Sequence, residues 1–148
     1  MLIAPVVAML LACSTDSAVA PVPPQSAATV GAEKNYSFSI APQSGTVHVK
    51  FSRVRGTPSE SVSDFVGRMF AGADAAGATR LVVDLSATKG GDAFLLVPLV
   101  KGIIAREQFT RRGGLIVIVG PDSFSPAQNA ARMLQQYARP IFVQQSVI

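Results

Sequence analysis

The chain has 148 residues, a formal net charge of +4, one cysteine and one histidine, and 49% of its residues are hydrophobic. This length suits one domain rather than two, and the charged share of 15% is too low for a chain that is disordered throughout. A single cysteine excludes an intrachain disulfide, and one cysteine with one histidine is too few for a structural zinc site. The basic residues are scattered and form no stripe with interleaved aromatic residues, so they do not predict nucleic-acid binding.

The N-terminal residues have the pattern of an export signal. Residues 1–12 form an apolar run that is too short to span a bilayer but suits the hydrophobic region of a signal peptide. The run ends in Leu-Leu-Ala before Cys13, which resembles a lipobox, in which the cysteine thiol accepts a diacylglycerol. We therefore predict a signal peptide over residues 1–13, lipid attachment at Cys13, and a membrane-anchored lipoprotein facing the periplasm or the cell exterior. An ordinary secretory signal and a cytoplasmic protein are the alternatives.

A change of composition follows the predicted signal. Residues 14–34 are rich in serine, alanine, proline and threonine, a composition that cannot bury enough surface to fold alone. We predict a flexible linker and N-terminal lead-in over residues 14–44 and one domain over residues 45–148.

The domain opens with a strand pattern. From Thr46 the residues alternate, with Val47, Val49 and Phe51 on one face, which is typical of a half-buried strand. His48 falls on the polar face of this strand, and we interpret it as an exposed strand histidine rather than a catalytic base.

Strands and helices then alternate. An apolar stripe at helical spacing predicts a helix that Ser59 or Ser61 caps and Gly77 ends. Two short apolar runs, at residues 80–85 and 115–119, are typical of parallel strands buried on both faces.

Two more helices and a last strand complete the pattern. A second helix is predicted over residues 93–105, bent or delayed by Pro98, a third over residues 125–137, and a strand over residues 140–143. The order β-α-β-α-β-α-β predicts an α/β fold with a mostly parallel sheet and right-handed crossovers.

In such sheets the functional loops follow the carboxyl ends of the strands, which here are residues 86–92 and 120–125. The first loop contains Gly90 and Gly91, whose backbone N–H groups can turn toward a ligand without steric cost. They could form an oxyanion hole, a phosphate cradle or only a tight turn.

The second loop ends at Ser125, the first residue of the third predicted helix. With Pro126 next and Gln128 three residues on, Ser125 fits a capping box. It also fits a nucleophile, because the helix dipole would stabilise its developing negative charge. One serine could do both.

Two motifs combine these features: Leu81-Val-Val-Asp-Leu85 before Gly90-Gly91, and Leu115-Ile-Val-Ile-Val119-Gly120 before Ser123-Phe-Ser-Pro-Ala-Gln-Asn129. In this order they resemble the catalytic core of the tail-specific (C-terminal-processing) serine peptidases, which have a crotonase/Clp-protease-like α/β fold. The resemblance implies that residues 45–148 are a partial tail-specific protease core, truncated at the C-terminus, with an exposed apolar face where the missing segment would pack.

The resemblance also implies a chemistry. Ser125 matches the nucleophile, Gly90 and Gly91 match the loop that donates a backbone N–H to the oxyanion, and Asp84 matches a structural acid at a strand end. The implied reaction is hydrolysis of a peptide or protein substrate through an acyl-enzyme, without metal or cofactor.

Several positions depart from the family pattern. Ser86 and Thr88 replace an arginine and an asparagine, so hydrogen bonds that order this loop are expected to be missing. Pro126 has no N–H to serve as the second oxyanion donor, and losing such a donor costs about 100- to 1000-fold in rate. No lysine or histidine matches a family general base.

Two other functions therefore stay open. The chain could be a catalytically impaired remnant that binds peptides without cleaving them. It could also be a nucleotide-binding domain that uses Gly90 and Gly91, although it lacks both G-x-G-x-x-G and a P-loop lysine. The oligomeric state does not follow from the sequence.

Overall fold

The computed structural model describes residues 34–121 and 123–145. They form a five-stranded sheet in the spatial order β1-β2-β3-β4-β5. The strands are β1 (Tyr36–Ala41), β2 (Thr46–Phe51), β3 (Arg80–Asp84), β4 (Leu115–Val119) and β5 (Ile141–Gln144). Only β1 is antiparallel to its neighbour, and β2 to β5 are parallel, which confirms an α/β fold with a mostly parallel sheet.

The helices of the described residues are α1 (Val62–Ala75), α2 (Val97–Ile104), α3 (Glu107–Thr110) and α4 (Ser125–Tyr137). As predicted, Ser61 caps α1, since its side chain accepts a hydrogen bond from the Asp64 N–H at 3.0 Å, and Gly77 follows its end with a φ of +60°. Pro98 delays α2, as expected, because residues 93–96 form a 3-10 turn before it. Within the described ranges, no helix is long and apolar enough to cross a membrane.

Two elements were not predicted. The short helix α3 is a single turn, and β1 lies within the residues assigned to the N-terminal lead-in. In β1 the aromatic ring of Tyr36 packs against that of Phe65, with centroids 4.3 Å apart, and its hydroxyl donates a hydrogen bond to the Glu60 carbonyl at 2.8 Å. These contacts with α1 and the segment before it hold β1 as an antiparallel edge strand.

The hydrophobic core lies on one face of the sheet. Side chains of β2, β3 and β4 that point to this face form one cluster with the buried side chains of α1, α2 and α4. The spatial order of β2 to β5 follows the chain order, so successive right-handed crossovers place all these helices on the same side.

The opposite side, called the open face below, has no helix from the described residues packed on it. His48, Val82 and Ile116 lie side by side there in the strand register. Val82 is buried by its neighbours, which confirms that β3 is buried on both faces, but Ile116 and Ile118 are only half-buried. The prediction that β4 is buried on both faces is therefore wrong, because the helix layer covers one face only.

The last strand is also poorly covered. Ile141, Phe142 and Val143 are 47%, 40% and 44% exposed, although all three are apolar. An exposed apolar surface therefore lies on the edge strand β5.

A matched pair of valine truncations tests the one-sided core. Val117→Ala should lower the free energy of unfolding by about 2 kcal/mol, because Val117 is fully buried and the truncation leaves a cavity. Val143→Ala makes the same chemical change on the exposed β5 and should cost less than about 1 kcal/mol. Urea unfolding followed by circular dichroism measures both, and equal losses would contradict this placement of the core.

Candidate functional site

The loops that follow β3 and β4 meet at the carboxyl edge of the sheet. The Phe124 N–H donates a hydrogen bond to the Thr88 carbonyl oxygen at 3.2 Å, which joins the two loops directly. The Ser123 hydroxyl donates to the Leu85 carbonyl and accepts from the Gly120 N–H, both at 2.9 Å. Three hydrogen bonds therefore fix the segment before Ser125 against the ends of both strands.

The first loop is ordered by its own hydroxyl groups. Buried Thr88 donates a side-chain hydrogen bond to the Phe51 carbonyl at 2.8 Å. The Ser86 N–H and hydroxyl both donate to one Asp84 carboxylate oxygen, at 2.9 and 2.6 Å. The expectation that Ser86 and Thr88 would leave this loop without ordering hydrogen bonds is therefore wrong. The contacts of Asp84 are those of a structural acid.

The diglycine lies between this loop and the segment after β2. Gly90 and Gly91 have φ values of +115° and +126°, a region that favours glycine. Gly91 forms a parallel bridge with Val54, whose N–H donates to the Gly90 carbonyl at 2.9 Å. Neither the Gly90 nor the Gly91 N–H donates a hydrogen bond to any described residue.

Ser125 does not cap its helix. The capping residue of α4 is Phe124, which has no side-chain hydrogen bond, and the Gln128 side-chain amide donates to the Ser123 carbonyl at 3.2 Å. The capping-box interpretation of Ser125 and Gln128 is therefore wrong. Ser125 is exposed, and its hydroxyl makes no hydrogen bond with the residues that the structure describes.

The residue after Ser125 and the position of His48 limit which groups can act with the Ser125 hydroxyl. Pro126, buried at the second position of α4, supplies no backbone donor there. His48 is exposed three residues before the end of β2, about 10 Å along the strand from the carboxyl edge. This position agrees with its interpretation as an exposed strand histidine. In the described part of the chain no ionisable side chain hydrogen-bonds to the Ser125 hydroxyl.

Two exposed phenylalanines at this edge were not identified from the sequence. Phe124, which immediately precedes Ser125, is 58% exposed, and Phe94 is 82% exposed. Phe94 belongs to the turn Ala93–Leu96, which packs against α4. The signal that could have found them is an aromatic residue close to each loop motif. Their rings give the site apolar contact surface.

Other predicted features lie away from the site or outside the described residues. Cavities of about 370 and 220 Å³, lined by described residues, lie elsewhere on the surface. The signal peptide, Cys13 and the linker up to residue 33 fall outside the described residues. Export, lipid attachment and anchoring to a membrane therefore stay predictions.

Comparisons with known proteins support the fold. No protein-family model matches the chain, and no curated protein matches it. Among solved structures, a photosystem II D1 C-terminal processing protease matches with a TM-score of 0.55 and 14% sequence identity. The match covers 74% of this chain and 36% of that protein, so this chain spans about a third of its length. The two proteins share a protease-like fold.

A pair of glycine substitutions tests the strained loop. Gly91→Ala should cost at least about 3 kcal/mol in unfolding free energy, because a Cβ there would overlap the Val54 carbonyl oxygen and the φ is positive. Gly90→Ala has a similar φ but open space around its Cβ and should cost only about 1 kcal/mol. Chemical denaturation of both variants checks the difference, and a Gly90→Ala variant at least as unstable as Gly91→Ala would refute the packing of this loop.

The two loop serines should behave differently. Ser123→Ala should cost about 1–3 kcal/mol, since the truncation leaves the Gly120 N–H without its acceptor and the Leu85 carbonyl with only the longer bond from the Thr88 N–H at 3.3 Å. Ser125→Ala should change the unfolding free energy by less than about 0.5 kcal/mol, since its hydroxyl has no such partner. Thermal and urea unfolding measure both, and a large loss in Ser125→Ala would restore the capping role.

Proposed function

We propose that this chain is a serine-type peptidase domain that hydrolyses peptide bonds through an acyl-enzyme on Ser125. The observation that carries the proposal is the hydrogen bond from the Phe124 N–H to the Thr88 carbonyl, which ties the serine loop to the diglycine loop. The protease-like fold supports the same chemistry. The substrate would be a peptide or protein.

The proposed first step is attack of the Ser125 oxygen on a peptide carbonyl carbon, which forms a C–O bond and moves an electron pair onto the carbonyl oxygen. The unpaired N–H groups of Gly90 and Gly91 are the donors proposed for that oxyanion. Collapse of the intermediate expels the amine and leaves an ester on Ser125, which water then hydrolyses. A general base would take the hydroxyl proton and return it to the departing amine, and no hydrogen bond among the described residues identifies that base.

The aromatic residues suggest how a peptide would be held. Phe94 and Phe124 expose their rings beside the two loops, where apolar side chains of an extended peptide could bury them. Burying a phenylalanine ring contributes about 1.5–3 kcal/mol, so two rings would favour a peptide with apolar side chains.

A second function is a peptide-binding domain of the same fold without catalysis. Two observations favour it: Pro126 has no N–H to serve as the second oxyanion donor, and no described side chain hydrogen-bonds to the Ser125 hydroxyl. Such a domain would still use the diglycine N–H groups and the exposed rings to hold a peptide.

A fluorophosphonate probe separates the two functions. An activated Ser125 should be labelled, and the label should be lost in Ser125→Ala but kept in Ser63→Ala, a control that removes an exposed serine of α1. Pro126→Ala should raise the labelling rate by about 10-fold or more, because it restores an N–H after the nucleophile.

Mass spectrometry of the labelled protein locates the modified residue, and circular dichroism shows whether each variant is folded. Absence of labelling in both the wild type and Pro126→Ala, together with retained binding of an apolar peptide, would refute the peptidase and leave the binding domain. Labelling that survives Ser125→Ala would exclude Ser125 as the nucleophile.

A further inference from the structure

A small basic cleft lies at the opposite, amino edge of the sheet. Its volume is about 220 Å³, and Arg80, Arg111 and Arg112 line it. Arg80 begins β3, while Arg111 and Arg112 are separated from β4 only by Gly113 and Gly114. The parallel register, which pairs Leu81 with Leu115, brings these distant parts of the chain together. The sequence alone showed only the Arg111–Arg112 pair.

The positive charge of the cleft is poorly neutralised. Arg111 pairs with Glu107 at 2.9 Å, but both side chains are well exposed, so this ion pair is weak. Arg80 donates to the Gly113 carbonyl at 3.4 Å, which leaves its charge unpaired. Arg112 has no ion-pair or hydrogen-bond partner for its side chain among the described residues. Among the described residues, the Glu107 carboxylate is therefore the one acidic group that pairs with any of these three guanidinium groups.

The backbone of the cleft adds further donors. The Arg112 and Gly113 N–H groups donate no hydrogen bond to the described residues. Gly113 has a φ of +82°, and no atom lies within 4 Å of the position where its Cβ would be, so this part of the loop faces open space. Thr79 also lines the cleft. The site therefore offers many donors and excess positive charge.

We propose that this cleft binds the phosphate group of an anionic ligand. Guanidinium groups bind phosphate oxygens through paired N–H donors, and free backbone N–H groups complement them. The cleft is smaller than the pockets that hold drug-sized ligands, about 300–1,000 Å³, and suits one phosphate with little attached to it. A soluble phosphate ester and a phospholipid headgroup share this chemistry. The site lies across the sheet from Ser125 and does not depend on the proposed peptidase.

In the first test the full chain is titrated with inorganic phosphate. The chemical shifts of the Gly113 and Gly114 backbone amides, measured by NMR, report binding. We expect saturable shifts that an equal ionic strength of sodium chloride does not produce. Arg112→Gln and Arg80→Gln should each raise the dissociation constant about fivefold or more, and Arg112→Lys should raise it less. Arg53→Gln, which removes an exposed arginine after β2, is the matched control and should leave it unchanged.

A second measurement distinguishes the two sources of phosphate. The full chain is incubated with vesicles of phosphatidylcholine alone or mixed with phosphatidylglycerol, and the bound fraction is measured by sedimentation. Binding that needs phosphatidylglycerol and falls in Arg112→Gln, but not in Arg53→Gln, assigns the cleft to a headgroup. Phosphate binding with equal vesicle binding by both variants assigns it to a soluble ester. Phosphate shifts that are absent, or equal in Arg112→Gln and Arg53→Gln, would overturn the proposal.

Discussion

The backbone hydrogen bond between the Phe124 N–H and the Thr88 carbonyl is the contact on which the candidate site depends. Parallel pairing of β3 with β4 brings the loops that follow them to one edge, but pairing alone does not fix their relative position. This bond, with the Ser123 hydroxyl bridging the ends of both strands, holds the residue before Ser125 in place. The diglycine belongs to the same assembly, because the loop that contains Thr88 leads directly into it.

The same parallel pairing has a second consequence at the other end of the strands. It brings the arginine that starts β3 next to the arginine pair before β4, so the sheet has a basic amino edge and a carboxyl edge that carries the serine and the glycines. The chain order of the strands also places the helices on one face and leaves the other open. Both edges and the open face therefore follow from one topology.

Periodicity and turn residues were enough to predict most of the fold, because helices and parallel strands here have regular apolar patterns. They did not predict β1, in which serines alternate with Tyr36, Phe38 and Ile40. The composition of residues 14–34 led to the prediction of a linker and lead-in over all of residues 14–44. The one-sided core was missed because an apolar run does not reveal how many layers pack on a strand. The basic cleft requires the strand register, which no local pattern contains.

The errors at the site have a more local cause. Resemblance to a family suggested that replacing two large polar residues would remove hydrogen bonds, whereas the shorter Ser86 and Thr88 hydroxyls bond to nearer partners. The capping box failed because α4 begins after Phe124, so Ser125 already lies inside the helix, where its side chain cannot fold back in the same way. In both cases a small difference changes the hydrogen-bond partner. For the capping box it is the first residue of the helix, and for the loop it is the length of the side chain.

The proline after Ser125 would set helix stability against catalysis in the proposed peptidase. Phe124 cannot cap α4 with its side chain, so the helix start lacks the usual side-chain acceptor for its first N–H groups. A proline at this position needs no such acceptor, and its fixed φ favours the helical conformation. In the proposed peptidase, this missing N–H would have been the second donor to the oxyanion, and its loss would cost about 3–4 kcal/mol in the transition state. Pro126 therefore favours the start of the helix that presents Ser125, and it would slow the reaction proposed for Ser125.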